Sequence, residues 1–81
     1  MHAASSEKSE RLKRTLSALR NGGRFGRTGA DLARVTNSLA ISTDISELRR
    51  NGWLIERKYD GLSPTGRRVH RYTLLGRPED R

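Results

Sequence analysis

The chain contains no cysteine among its 81 residues. That excludes a disulfide framework and any cysteine-based zinc site, so neither can supplement the modest core of so short a chain. Histidine is almost as scarce: His2 and His70 stand alone and far apart, which argues against a metal cluster. No apolar run approaches the roughly 18 residues needed to span a bilayer, and no signal-peptide core is visible. No membrane partner is therefore expected, and the location expected by default is cytoplasmic. Catalytic patterns are missing too. There is no cysteine nucleophile, no histidine pair and no phosphate loop of the Gly-rich, Lys-Ser/Thr type; Gly22-Gly23 and Gly26 read as helix-ending and turn glycines. The chain is expected to be no enzyme and to need no cofactor. Acidic residues are the minority sign, nine against seventeen Lys and Arg, for a formal charge of +8. An excess of that size favours a polyanionic partner.

What is present is patterned. Hydrophobic residues make up only 32% of the chain, yet they recur at helix and strand spacings, which argues for one folded domain over a disordered chain. Residues 1–5 are expected to be a flexible tail, 6–75 the domain and 76–81 a second flexible tail. A first helix is expected after Ser5 or Ser6, with Leu12, Leu16 and Leu19 on its buried stripe and Asn21-Gly22-Gly23 ending it. Residues 24–27 make a short link, with a brief strand that would lay Phe25 on the core. Thr28-Gly-Ala-Asp31 reads as a capping box opening a second helix with Leu32 and Val35 buried. Thr36-Asn37-Ser38 breaks that helix, and Leu39 and Ala40 fill the turn.

The third helix is expected over Ser42–Arg50, with Ser42 as N-cap and Ile41, Ile45 and Leu48 on one stripe. Asn51-Gly52 supplies a left-handed exit, and Arg49 and Arg50 suit the negative helix end. Residues 53–59 then have strand composition, residues 60–66 are dense in turn formers, and residues 67–74 form a returning strand with Tyr72 and Leu74 toward the core. The fold class is thus α+β: three helices, a two-stranded hairpin, and a short third strand near residues 24–27. Both middle helices fall under about 12 residues, so only tertiary packing can hold them.

Helix, link, helix, turn, helix, hairpin resembles a winged helix-turn-helix domain over roughly residues 6–75. The densest stretch is Ile45-Ser-Glu-Leu-Arg-Arg-Asn-Gly-Trp-Leu-Ile-Glu, followed by Arg68-Val-His-Arg-Tyr-Thr-Leu. The pair is similar to a group of small proteins common in phages, prophages and plasmids, in which Ile-x-x-Leu-Arg-x-x-Gly-Trp leads into a strand and an Arg-x-Tyr-x-Leu strand returns. The resemblance implies sequence-specific binding of double-stranded DNA by a transcriptional regulator or excision-type factor, with dimers or cooperative arrays on the duplex. Members of this group often carry a basic residue where this chain has Asp44.

On that reading Thr43, Asp44, Ser46, Glu47 and Arg50 form the groove-facing set, with Arg50 suited to a bidentate guanine or phosphate contact. Asp44 and Glu47 could accept from cytosine amino groups but would repel phosphate, unless Glu47 pairs with Arg50 or Arg11. Thr28, Asn37 and Ser38 lie at a helix start and a turn, where hydroxyls, amides and free N–H groups clamp phosphate. The hairpin adds Arg57, Lys58, Arg67, Arg68, His70 and Arg71, suited to a phosphate backbone or a narrow minor groove. Charge that merely blunts a strand edge is the plainer reading of the same residues. Trp53 could stack on a base, but is better read as closing the seam between helices and hairpin. Two rival functions remain open: a protein-docking winged helix, and structured RNA binding by the same basic face.

Overall fold

The computed structural model describes residues 9–77. The expected flexible segment 1–5, residues 78–81 of the expected flexible segment 76–81, and the expected caps Ser5 and Ser6 lie outside them. The architecture is α+β: three helices and a three-stranded antiparallel sheet. Helix α1 spans Glu10–Gly22, β1 Arg27–Thr28, α2 Gly29–Thr36, α3 Ile41–Arg50, β2 Leu54–Leu62 and β3 Arg68–Gly76; the sheet order is β1-β3-β2.

Ser9 caps α1, its Oγ accepting from the Leu12 N–H at 3.3 Å. Leu12, Leu16 and Leu19 are buried as expected, and Thr15 joins them because its hydroxyl donates to the Arg11 carbonyl one turn back. Together with Leu32, Ile41, Ile45, Leu48, Trp53, Ile55 and Tyr72, the three leucines form one core shared by all three helices and the base of the hairpin.

The link after α1 departs from expectation. Residues Gly23–Phe25 make a single 3₁₀ turn and leave Phe25 76% exposed. Gly26 is the residue that goes inside. A Cβ there would lie 2.5 Å from Thr73 Oγ1 and 2.7 Å from the Tyr72 carbonyl. Such an approach, at φ 72°, is open only to glycine. This backbone contact seats Arg27 and Thr28 opposite Tyr72 and Arg71, and the strand forms there instead of bringing Phe25 inward.

Two other apolar residues expected in the core are outside it: Val35 is 53% exposed and Leu39 fully so. In α2 the inner positions go to Leu32 and Thr36, four residues apart on one face. Thr36 can be buried because its hydroxyl donates to the Leu32 carbonyl at 2.6 Å. Val35 is turned away from that stripe.

The α3 boundary also shifts. The helix starts at Ile41, and the capping position is Ala40, with no side-chain cap. Ser42 therefore does not cap α3; the turn before the helix is held by Ser38, whose Oγ accepts from the Ala40 N–H at 3.2 Å, and Leu39 lies outside. The exit of α3 is as expected. Trp53 N–H donates to the Leu48 carbonyl and Gly52 N–H to that of Arg49, with Gly52 at φ 96°, the paired bonds of a Schellman ending.

In the hairpin, Ile55 faces Leu74, Arg57 faces Tyr72 and Tyr59 faces His70 across the ladder. Ile55 and Tyr72 close the core, while the distal half of both strands runs beyond it. Gly76, placed in the tail by composition, pairs with Leu54 and ends β3.

Candidate nucleic-acid interface

The outer surface of α3 follows from where its inner residues go. With Ile41, Ile45 and Leu48 buried, Asp44 and Glu47 fall on the flank toward α1, and Thr43, Ser46 and Arg50 fall outward. Asp44 corrects the sequence reading: it is not on the exposed face but fully buried. Its carboxylate accepts from the Arg11 guanidinium on α1 and, at 2.8 Å, from the Ser38 hydroxyl. Glu47 Oε2 takes the other Arg11 nitrogen at 2.6 Å. One arginine thus pairs with both acids and ties α1 to α3. The Arg11 guanidinium is held above its ordinary pKa, first by the hydrogen bond to Glu47 and then by the charges of Asp44 and Glu47, against the opposing effect of burial.

Ser38 is committed to this network on both sides of its hydroxyl, so it supports the turn and has no donor left for a phosphate. Thr28 is likewise used internally, accepting from the Asp31 N–H at 3.1 Å as the cap of α2. Only half of the expected capping box forms, since Asp31 turns to Arg34 at 2.8 Å. Asn37 ends α2 in the left-handed conformation, φ 57°, with its side chain exposed.

The six hairpin residues divide in the same way. Arg57, Lys58, Arg67 and Arg68 are exposed, and like Arg50 they make no ion pair among the described residues. Arg71 is engaged: it donates to Asp60 at 3.0 Å and to the Phe25 carbonyl at 3.2 Å, bracing the hairpin against the α1–β1 link. His70 is half-buried, edge-on to Tyr59 with ring centroids 6.0 Å apart.

Two hollows border these elements. One is lined by Gly29 and Ala33 of α2, Ser42 and Thr43 of α3, and Tyr72. The other is lined by Gly29, Ala30 and Tyr72 with Ser63, Thr65, Arg67, Arg68 and His70. Gly29 and Tyr72 border both, so the start of α3 and the basic hairpin lie to either side of the N-terminal end of α2.

Sequence reasoning missed several supporting roles. Arg49 donates to the Ile55 carbonyl through two nitrogens, at 2.8 and 3.2 Å, locking the end of α3 to β2. Arg27 donates to the Ala18 carbonyl at 2.7 Å. Arg20 lies 5.4 Å over the ring of Trp53, which is buried at the seam as expected. Four arginines (Arg11, Arg27, Arg49 and Arg71) therefore serve structure. Composition alone carries no signal separating them from the free ones, because each is defined by a carbonyl or carboxylate beyond its own helical turn or strand neighbour.

Among the described residues no group of His, Asp or Glu could hold a metal ion, and no helix is long and apolar enough to cross a membrane. Comparison with protein-family models, curated proteins and solved structures found no match.

Proposed function

We propose that the chain is a sequence-specific double-stranded DNA-binding protein of the winged helix-turn-helix kind, acting as a small transcriptional regulator or excision-type factor. Helix α3 enters the major groove with Thr43, Ser46 and Arg50, and the hairpin holds the adjacent backbone with Arg57, Lys58, Arg67 and Arg68. The observation that carries this reading is the inward turn of Asp44 and Glu47 onto Arg11. It turns both carboxylates away from the outward face and leaves there a polar strip with Arg50, which like Arg57, Lys58, Arg67 and Arg68 makes no ion pair among the described residues.

The inward acids also weaken the protein-docking alternative, which an exposed acidic pair on α3 would favour. RNA is the poorer fit, because the deep, narrow major groove of an A-form duplex does not admit a helix such as α3. One module covers a short site, so dimers or cooperative arrays on DNA are expected.

The test is equilibrium binding of the full chain to duplex DNA, duplex RNA and single-stranded DNA at low salt, followed by selection from random duplexes. Preference for duplex DNA and recovery of a shared sequence are expected. No duplex-DNA binding at low salt would overturn the proposal.

A further inference from the structure

The hairpin places apolar side chains where no core receives them. Leu62 is 64% exposed and Tyr59 is 55% exposed, both on the distal half of β2. A single exposed leucine is ordinary, but this one has a specific setting. It sits directly across the ladder from Arg68, with Arg57, Lys58 and Arg67 exposed on the same arm.

The tip that carries it is held rigidly. Ser63 N–H donates to the Arg67 carbonyl at 2.8 Å and Gly66 N–H to the Ser63 carbonyl at 2.9 Å. Arg67 N–H donates to Ser63 Oγ at 3.1 Å, and the Ser63 and Thr65 hydroxyls lie 3.0 Å apart. The ladder shifts register between Tyr59 and Leu62, with Gly61 at φ 90°. Such an irregularity re-aims the side chain that follows it. Strands of nine residues extend about 30 Å, and the tip residues Ser63 and Thr65 line a hollow with Gly29 and Ala30 at the start of α2, while Leu62 is not part of its lining.

We propose that Leu62 is a wedge that enters the minor groove of duplex DNA and kinks it while the flanking arginines hold the phosphates on either side. Apolar side chains that insert between stacked bases act in this way, and the cost of unstacking is offset by the contacts that the bent duplex gains. The preferred site is a pyrimidine–purine step such as TA, the step most easily unstacked. The inference rests on the DNA-binding reading and adds a deformation to it. A hairpin that only lies along the backbone would need Arg67 and Arg68 but not Leu62.

The experiment is fluorescence energy transfer across an end-labelled duplex of about 30 base pairs with a central TA step, at saturating protein, so that bending is read apart from affinity. The full-length chain should shorten the end-to-end distance by an amount equivalent to a kink of about 20–90°. Leu62→Ser should keep its melting temperature and bind at saturation without the shortening, and Leu62→Met should restore it. A wild-type chain that binds without shortening the duplex, or a Leu62→Ser chain that bends it equally, would overturn the wedge and leave the DNA-binding reading standing. A wild-type chain that binds no duplex overturns both. Leu62 found necessary only for association between protein copies would reassign it to a protein contact and likewise overturn the wedge.

Discussion

Asp44→Ala is the sharpest perturbation of the junction between α1 and α3. The carboxylate is fully buried and accepts from a guanidinium and a hydroxyl. A hydrogen bond to a charged group contributes about 1.5–3 kcal/mol and a neutral one about 0.5–1.5 kcal/mol. Removing one partner of a fully buried pair costs about 3–5 kcal/mol. Arg11, however, keeps 38% of its side-chain surface in water and retains Glu47, so that cost is partly recovered. The expected loss is about 2–3 kcal/mol. In a domain of this size that corresponds to a fall in melting temperature of about 10–20 °C. Asp44→Asn, which keeps an acceptor for Ser38 but not the charge, should lose about half as much. Thermal or urea unfolding followed by circular dichroism measures both, with duplex binding assayed alongside. An Asp44 on an open helix face would cost under about 0.5 kcal/mol when removed, and its loss would tighten DNA binding by relieving repulsion. That pair of results would refute the inward placement and the argument built on it.

The remaining expectations are narrower. Gly26→Ala should cost about 2–4 kcal/mol in unfolding experiments, because the new Cβ meets a carbonyl and a hydroxyl on β3 at a positive φ; a loss within measurement error would mean that the link is not seated there. Arg50→Ala should weaken binding to the selected duplex by about 1–3 kcal/mol and relax specificity, whereas equal losses on selected and random duplexes would assign Arg50 to the backbone. The raised Arg11 pKa has a defined sign: its stabilisation is present below the unfolded value and lost only as pH rises through the folded one. Both lie far above neutrality, so the cost of Arg11→Met should be the same at about pH 7 and about pH 9. A cost that shrank over that range would point to a different titrating partner.

Much of the fold is legible in the sequence because it depends on local chemistry. The leucine spacing of α1, the Thr28 cap, the Asn51-Gly52 ending and the turn formers of residues 63–66 each act through neighbours a few positions away, whereas residues 60–62, expected in that turn, extend β2. Phe25, Val35 and Leu39 escape the sequence pattern because apolar character says what would benefit from burial and not which residue obtains it. Thr36 takes the inner place in α2 by satisfying its own hydroxyl, and Gly26 takes the inner place in the link because it has no side chain at all. Asp44 escapes it for a related reason. Helical spacing places it off the apolar stripe, but only the packing of α1 against α3 puts Arg11, 33 residues earlier in the chain, against it. The exposed cations Arg50, Arg57, Lys58, Arg67 and Arg68 are legible as a group; the commitment of Arg71 and Ser38 to internal bonds is not.

The central claim is that the exposed hairpin arginines Arg57, Arg67 and Arg68 hold duplex phosphate. The most direct measurement is the salt dependence of duplex-DNA affinity for the wild-type chain beside Arg67→Ala/Arg68→Ala. The wild type should lose affinity steeply and linearly on a log–log plot, by a slope of about 0.9 for each phosphate neutralised. The double variant, whose substitutions lie at exposed positions and should leave the melting temperature unchanged, should have a slope shallower by about 2 and weakened binding to all duplexes alike. Identical slopes for the two chains would contradict the claim, and so would a wild-type affinity indifferent to salt.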